Sequence, residues 1–428
     1  MSLGHFLSHF YILVYPPLFP FFVERFGLTN TELGLVMSVG TLGPLFLQIF
    51  VGRAVDSVGG KWVLVAGLAV TAGGTALVST ADSYLTLLAF AGVAGLGQAV
   101  FYPADYALLE VASTPETRGK TFSVHTFSGY AGFAVAPVTV GLLAGEYGWR
   151  VAVAVCGAVG LAYALLLAAK LPSPTRRASD SADADGTTDE GGARGWRTLL
   201  TPSLLALFGF YLLTTVGIKG IQTFGPRFLS TLYGLPTSLS NLALTLFFIG
   251  TAVGILAGGH LADAHAEARI IVGALTVAVA GLAVLATSVL VGGVAVVGLL
   301  TVVGFAVGTT LPSRDSLVST VSPGNAGSSF GLVFTGLALG GLISPAVLGA
   351  LADATTLGVA FLAIGGCYVA ATTGVASLTW RRRKRGESST PKNEKKTRSS
   401  PERYGRAESR FRRAQSTYDA ACSAAIFP

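Results

Sequence analysis

The chain has 428 residues, of which 51% are hydrophobic and 12% are charged, about half the charged share of a soluble globular protein. This composition excludes an ordinary soluble enzyme or binding domain and indicates an integral membrane protein. The net charge of +7 does not indicate nucleic-acid binding, because residues 381–413 hold 14 of the 29 Lys and Arg, whereas residues 1–379 hold 15 against 17 acids.

Hydrophobic runs of about 20 residues, long enough to cross a bilayer as helices, occur twelve times. They lie at 3–23, 33–52, 61–80, 84–109, 121–144, 149–171, 203–225, 239–260, 269–289, 291–313, 328–351 and 356–379. The predicted fold class is an all-α integral membrane protein with twelve transmembrane helices in two pseudo-symmetric six-helix halves. The predicted segments are an amino-terminal half (1–171), a polar cytoplasmic linker (172–202), a carboxy-terminal half (203–379) and a disordered basic cytoplasmic tail (380–428).

Lys and Arg set the expected orientation, because cytoplasmic loops carry an excess of both. With both termini inside the cell, inner loops and the tail hold 25 of the 29 basic residues, and outer segments hold three. Arg314 counts among the inner loops, Arg227 among the outer segments, and Lys219 lies inside a span. We therefore expect a multi-pass protein of the cytoplasmic membrane.

A short charged turn occurs at the same place in both halves. Gly52-x-x-x-Asp56 ends the second span, and Gly259-x-x-x-Asp263 ends the eighth, with the two aspartates 207 residues apart. A turn repeated at equivalent positions indicates parallel repeats, an architecture typical of secondary transporters that bind a solute between their halves.

The first turn, with Gly52, Asp56, Gly59 and Lys61, resembles the Gly-x-Leu-Ala-Asp-Arg-x-Gly-Arg-Lys loop of the major facilitator superfamily. The resemblance covers residues 1–379. It implies alternating access, in which this turn is a cytoplasmic latch and Arg118 a partner of Asp56; ordinary interfacial charges are the alternative. Other matching positions are Gly119 beside Arg118, then Gly129, Gly132, Pro137 and Gly141 in the fifth span, and Gly336, Gly340, Pro345 and Gly349 in the eleventh.

A narrower resemblance concerns the first and fourth spans. The opening Gly4-His5-Phe-Leu-Ser-His9 is similar to the first helix of the fosmidomycin-resistance group of drug exporters, and the stretch around Tyr102 resembles that group's His-Pro segment, with Tyr in place of His. The Arg that drug–proton antiporters carry in helix four is absent, since the sequence is apolar near Ala91. The resemblance therefore does not by itself imply a proton-relay mechanism.

Lys219 is the one Lys or Arg placed well inside a predicted span. A cation buried in a membrane costs several kcal/mol unless it is paired or hydrated. Thr215 and Gln222 lie four residues before and three after it, so the three share one helix face. We expect this face to line the solute cavity and Lys219 to bind an anionic group; the alternative is that Lys219 extends toward the outer surface.

The fourth span carries a polar stripe of Gln98, Tyr102 and Asp105, spaced i, i+4 and i+7 on one face. His125 enters the fifth span at a similar depth. A carboxylate and an imidazole that meet there are candidates for proton coupling. The alternative is that Asp105 pairs with Arg118 or Lys120 near the interface.

His5 and His9 are spaced i, i+4 on the first span, and Tyr15 lies further along it. This pattern suggests a polar face toward the cavity. No Asp or Glu lies near in sequence to complete a metal site, and the three cysteines are isolated from one another, so we expect neither metal nor cofactor.

These features predict a secondary transporter that moves a small organic solute by alternating access, most plainly a proton-coupled exporter of drugs or metabolites. The alternatives are a proton-linked importer or a uniporter of an organic anion and, in another class, a transporter-like sensor or scaffold. No catalytic motif or ATP-binding loop occurs. The expected partners are the solute, protons and anionic lipid at the basic tail, with no nucleic acid, and the expected state is a monomer.

Overall fold

The computed structural model describes residues 2–114, 117–171, 201–287, 289, 292–321 and 326–384. Within those ranges eleven helices are long and apolar enough to cross a membrane, and the number is twelve if a bent helix pair near the start counts as one span. The predicted all-α fold with twelve membrane spans is confirmed.

The helices follow the chain as two sets of six spans. In the first set, spans 1 to 6 are Ser2–Ile12 with Pro16–Leu18 and Phe19–Phe26; Asn30–Val39 with Leu42–Val58; Gly60–Val78; Tyr84–Gly97 with Gln98–Val100 and Phe101–Ala112; Arg118–Tyr147; and Trp149–Lys170. Spans 7 to 12 are Pro202–Tyr233, Thr237–Ala264, Glu267–Ala286, Gly293–Val321, Ala326–Ala354 and Leu357–Lys384. We call the end of the bundle where residue 2 lies the terminus side, and the opposite end the far side.

Several predicted boundaries are wrong. Span 2 continues six residues beyond 52 to Val58, and span 8 continues four residues beyond 260 to Ala264, so the predicted turns at Asp56 and Asp263 are the last turns of helices.

Span 7 continues eight residues beyond 225 to Tyr233, and span 10 continues beyond 313 to Val321, so that Arg227 and Arg314 lie inside helices rather than in loops. The last helix runs to Lys384, which places 380–384 in a helix rather than in the tail. The predicted linker, apart from 201 and 202, and the rest of the tail lie outside the described residues.

The two halves have equivalent internal packing. Span 1 packs on span 5 as span 7 packs on span 11, and span 2 packs on span 4 as span 8 packs on span 10. The halves meet along two seams, where span 2 packs on span 11 and span 5 packs on span 8. The two seams are equivalent, because spans 2 and 5 of the first half correspond to spans 8 and 11 of the second. Spans 1, 4, 7 and 10 are therefore left around the space between the halves.

Glycines bring the helix backbones together along the first seam. A Cβ on Gly34 of span 2 would collide with the carbonyl oxygen of Pro345 in span 11. A Cβ on Gly349, one turn further along span 11, would collide with the backbone of Asn30. Small residues that let backbones approach are the usual basis of helix packing in membranes, where no hydrophobic effect drives helices together.

A hydrogen-bonded cluster, the far-side latch of Asn30, Thr31, Arg227 and Asp353, joins the halves beside this seam. Asp353 at the end of span 11 accepts hydrogen bonds from the backbone N–H groups of Asn30 and Thr31 at 2.9 and 2.7 Å, and from their side chains at 2.8 and 2.6 Å. Arg227 of span 7 donates its Nε–H to Asn30 Oδ1 at 2.7 Å.

The latch completes the amino terminus of a helix in the other half. The first four N–H groups of a helix lack partners within it. In this helix Thr29 satisfies the third and fourth of these groups, because its hydroxyl accepts from the N–H of Glu32 and its carbonyl accepts from the N–H of Leu33. Asp353 serves the remaining two and places a negative charge at the positive end of the helix dipole. The structure is therefore closed at its far side by contacts between the halves.

We expect Asp353→Ala to expose the amides of Asn30 and Thr31 and to accelerate their hydrogen exchange about ten- to hundredfold, as for the loss of hydrogen bonds to a charged group. Hydrogen-exchange mass spectrometry of the peptide spanning 27–36 measures this. Asp82→Ala is the control, because that carboxylate accepts from Thr86 within its own far-side turn. Unchanged exchange in Asp353→Ala would contradict the latch.

Candidate functional site

Four titratable side chains from three spans meet in the terminus-side half of the bundle; we call His5, His9, Asp105 and His125 the His–Asp cluster. Asp105 Oδ2 lies 3.3 Å from His5 Nδ1 and 3.7 Å from His125 Nε2. The rings of His5 and His125 stack with centroids 3.9 Å apart, and the His9 ring lies 4.5 Å from that of His5. Asp105, His125 and His5 are 0%, 1% and 5% exposed.

Local packing explains why these residues meet. His5 and His9 are one turn apart on span 1, and a Cβ on Gly129 of span 5 would lie within 3.0 Å of both rings. Gly132, one turn on, faces the carbonyl oxygen of Phe6 just as closely. Gly129 and Gly132 therefore allow span 5 to approach span 1, and His125 enters the cluster from one turn before Gly129.

The cluster is arranged to share protons. Neither Asp105 oxygen and neither His125 nitrogen has a well-aligned hydrogen bond in the described residues, although the groups lie 3.3 to 3.7 Å apart. A buried carboxylate is costly unless it is paired or protonated. One proton added to Asp105 or to an adjacent imidazole would neutralise it, so the cluster has a chemical use for a proton.

Three members of the cluster are of the residue types that bind metal ions. The donor atoms of His5, Asp105 and His125 lie within 4.8 Å of one another, so residues distant in sequence supply the acidic ligand that the sequence lacks near His5. Zinc is held about 2.0–2.1 Å from a histidine nitrogen, along the lone pair in the ring plane. The His5 and His125 rings are stacked, with planes inclined by only 24°, so their lone pairs lie in nearly parallel planes and do not converge on one ion. The arrangement fits proton sharing better than a metal ion.

Lys219 lies near the middle of span 7 and not near its end. Fourteen residues separate it from Tyr233, about 21 Å along the helix. That distance is too long for a lysine side chain to span, which removes the alternative of an extension to the far surface. Its aliphatic part packs against Gly341 of span 11. No ion-pair partner for it occurs in the part of the chain that the structure describes, and span 7, which carries it, borders the same space between the halves as span 1, which carries His9.

The other predicted cavity residues divide into two groups. Tyr102 is 51% exposed, with its ring centroid 6.1 Å from that of His5, so it lines the space between the halves. Gln98 donates to the carbonyl of Ser8 at 3.1 Å and thus joins spans 4 and 1. The buried remainder are Thr215 beside Gly340, Gln222 with an unpartnered Oε1, and Tyr15.

The predicted gating residues of the two Gly-x-x-x-Asp motifs lie toward the terminus side. Asp56 is exposed, Gly59 has a positive φ of 93°, and buried Lys61 lies 4.8 Å from the Trp62 ring. Gly52 and Gly259 have open space beside them, whereas Pro137 and Pro345 lie inside the helices of spans 5 and 11. The side chains of Arg118 and Asp263, and Gly119, fall outside the described residues, so the pairing of Asp56 with Arg118 stays a prediction.

Sequence reasoning missed a second charged group in the carboxy-terminal half. Asp315 Oδ1 accepts hydrogen bonds from Tyr211 Oη at 2.5 Å and from Arg314 Nε at 3.1 Å. The Arg314 guanidinium lies over the Tyr211 ring, with Cζ 4.6 Å from its centroid. Arg314 was expected in an inner loop, and no signal in the sequence shows that the helix continues through Arg314 and Asp315 to Val321.

Comparisons with known proteins agree with this architecture. The chain is 26% identical over 364 residues to the fosmidomycin resistance protein of Escherichia coli, which covers 83% of this chain and 86% of that protein. It is 27% identical over 354 residues to a probable sulfoacetate transporter of Cupriavidus necator, covering 78% and 82%. Among solved structures, a bacterial homologue of the human lysosomal transporter Spinster aligns with a TM-score of 0.72 at 15% identity, covering 89% of this chain and 95% of that one.

A match to one family extends over the whole body. It covers residues 1–242 and again 211–427, so each half matches in its own right. This agrees with the equivalent packing of the two halves and with the repeated Gly-x-x-x-Asp sequences that end at Asp56 and Asp263. The chain belongs to the Major Facilitator Superfamily, as a multi-pass membrane transporter.

Proposed function

We propose that this protein is a proton-coupled exporter of small organic solutes that works by alternating access, with the terminus side in the cytoplasm. The observation that carries the proposal is the pairing of an unpartnered cation with a proton-sharing cluster across one space between the halves. Lys219 belongs to the carboxy-terminal half, and the His–Asp cluster to the amino-terminal half. The halves are joined at the far side by Asp353, so the space is reached from the cytoplasm.

Lys219 is the group that would bind the solute. An intramembrane cation without a partner is costly, and an anionic group that binds it removes that cost. Tyr102 and Tyr106, which are 51% and 45% exposed, would contact the apolar part of the solute. The solute class that fits is an organic acid that also carries a hydrogen-bond donor.

The hydrogen-bond donor of such a solute would explain why the solute is exchanged for a proton. Ionised Asp105 would accept a hydrogen bond from the solute, whereas protonated Asp105 would not need one. Solute and proton therefore compete for the cluster, which is the requirement for antiport. The named relative associated with fosmidomycin resistance supports export.

A second candidate is a proton-linked importer. The positive charges of Lys219 and of the protonated cluster favour this function for anions that carry no hydrogen-bond donor. A proton on the cluster adds positive charge to the space that Lys219 also borders. This added charge would strengthen the binding of an anion. Anion and proton would then bind together and move in one direction. The relative described as a probable sulfoacetate transporter supports this reading.

Reconstitution in liposomes with a pH gradient separates the two directions. Fosmidomycin and sulfoacetate, the compounds that the relatives' names provide, are the test solutes. Movement of solute against the proton flow supports the exporter, and movement with it supports the importer. Flux that does not respond to the gradient would contradict both and leave a uniporter.

We expect Lys219→Ala to weaken solute binding about ten- to hundredfold, because a hydrogen-bonded charge is lost. Resistance or growth conferred on a host stripped of its own exporters should fall in parallel, at equal membrane abundance. Lys170→Ala is the control, since that lysine is exposed at the terminus-side end of span 6. Full activity of Lys219→Ala would sink the assignment of this residue.

Asp105→Asn should separate coupling from binding. The amide keeps the shape of the carboxyl group but cannot take up a proton, so solute-for-solute exchange should persist while gradient-driven accumulation is lost. Both are measured in the same liposomes, with Asp82→Asn as the control. Gradient-driven accumulation that survives in Asp105→Asn would show that another group carries the proton.

A further inference from the structure

Arg314 is an intramembrane cation that is only partly neutralised. Its Nε donates to Asp315 at 3.1 Å, and Asp315 shares the same oxygen with Tyr211. The described residues supply no hydrogen bond to the two terminal nitrogens of Arg314, although its side chain is only 13% exposed. The planar fork that suits a carboxylate or phosphonate therefore remains free.

Arg314 is held in position from its own half, where the Tyr211 ring lies beneath the guanidinium at 4.6 Å.

We propose that Arg314, held on the Tyr211 ring, forms a second oxyanion site closer to the terminus side than Lys219. The ligand class is an organic oxyanion: a carboxylate, phosphonate or sulfonate. Tyr211, on which Arg314 rests, lies eight residues before Lys219 on span 7, about 12 Å along the helix. An acid that enters from the terminus side meets Arg314 first and Lys219 second. This inference rests on the proposed function and names a further binding residue for it.

Asp315 acts in this site as an internal competitor. Its carboxylate occupies one edge of the guanidinium and cancels much of its charge, so a solute anion binds Arg314 against that competition. Tyr211 holds Asp315 by the hydrogen bond to Oδ1, which keeps the carboxylate beside Arg314. Removal of the Asp315 charge with retention of its shape should therefore strengthen the site, whereas removal of the Arg314 charge should abolish it.

Titration of phenylphosphonate into the purified full-length protein in lipid nanodiscs, followed by calorimetry, tests the site. We expect Arg314→Gln to weaken binding at least about tenfold, as for the loss of a charge-assisted pair, and Asp315→Asn to strengthen it. Arg314→Lys, which keeps the charge but lacks the fork, should lie between wild type and Arg314→Gln. Thermal unfolding shows that each variant is folded.

Arg150→Gln is the matched control. Its guanidinium also lies over an aromatic ring, 4.2 Å from that of Trp149, and donates to the carbonyl of Ala81 at the far side. Weakening by Arg314→Gln and Asp315→Asn alike would indicate a purely structural pair and overturn the proposal. So would unchanged binding in Arg314→Gln, or no binding by the wild type. The proposed function is judged separately, by the transport activity of Lys219→Ala.

Discussion

Inside hydrocarbon a charged or polar group has no water to bind, and it must be satisfied within the protein or neutralised. Three carboxylates in this bundle are satisfied in three ways. Asp353 binds the amino terminus of a helix, Asp315 binds a phenol and a guanidinium, and Asp105 lies against imidazoles that can share a proton with it. Lys219 has no ion-pair partner among the described residues, and for this reason it is the proposed binding residue.

The contacts of Asp353 and those of Asp105 change under different conditions. The Asp353 contacts are lost when the halves separate at the far side, and the backbone donors of Asn30 and Thr31 are then left to water. The Asp105 contacts lie within one half and survive that movement, but they change when a proton arrives. In the proposed mechanism one carboxylate would respond to the relative position of the halves and the other to protons, and coupled transport requires both responses.

The fold could be predicted from sequence, because hydrocarbon-length apolar runs and the repeated Gly-x-x-x-Asp sequences depend only on local composition. The boundaries of spans 7 and 10 could not, because Arg227 and Arg314 look like the ends of spans until their partners in space are known. Arg227 is satisfied by Asn30 of the other half, which lies 197 residues away in the chain. Polar residues that bind across a bundle interrupt the hydropathy signal without interrupting the helix.

The candidate site was predictable in part for the same reason. His5, Asp105 and His125 each stand out as polar residues in apolar spans, but no periodicity says that they share one point. Their meeting depends on Gly129 and Gly132, whose small size lets span 5 approach span 1. Arg314 was assigned to an inner loop and Asp315 was not singled out, because both charges follow the end of an apolar run, although the helix continues through them.

The central position of Lys219 has an electrical consequence. When the cavity opens to one side, the lysine experiences the potential of that side, and rocking transfers its charge between the two potentials. Moving one elementary charge through 100 mV involves about 2.3 kcal/mol. With the proposed cytoplasmic terminus side and a voltage that is negative inside, the empty carrier would be held open to the cytoplasm. A bound anion cancels the charge of Lys219 and frees the loaded carrier from that voltage.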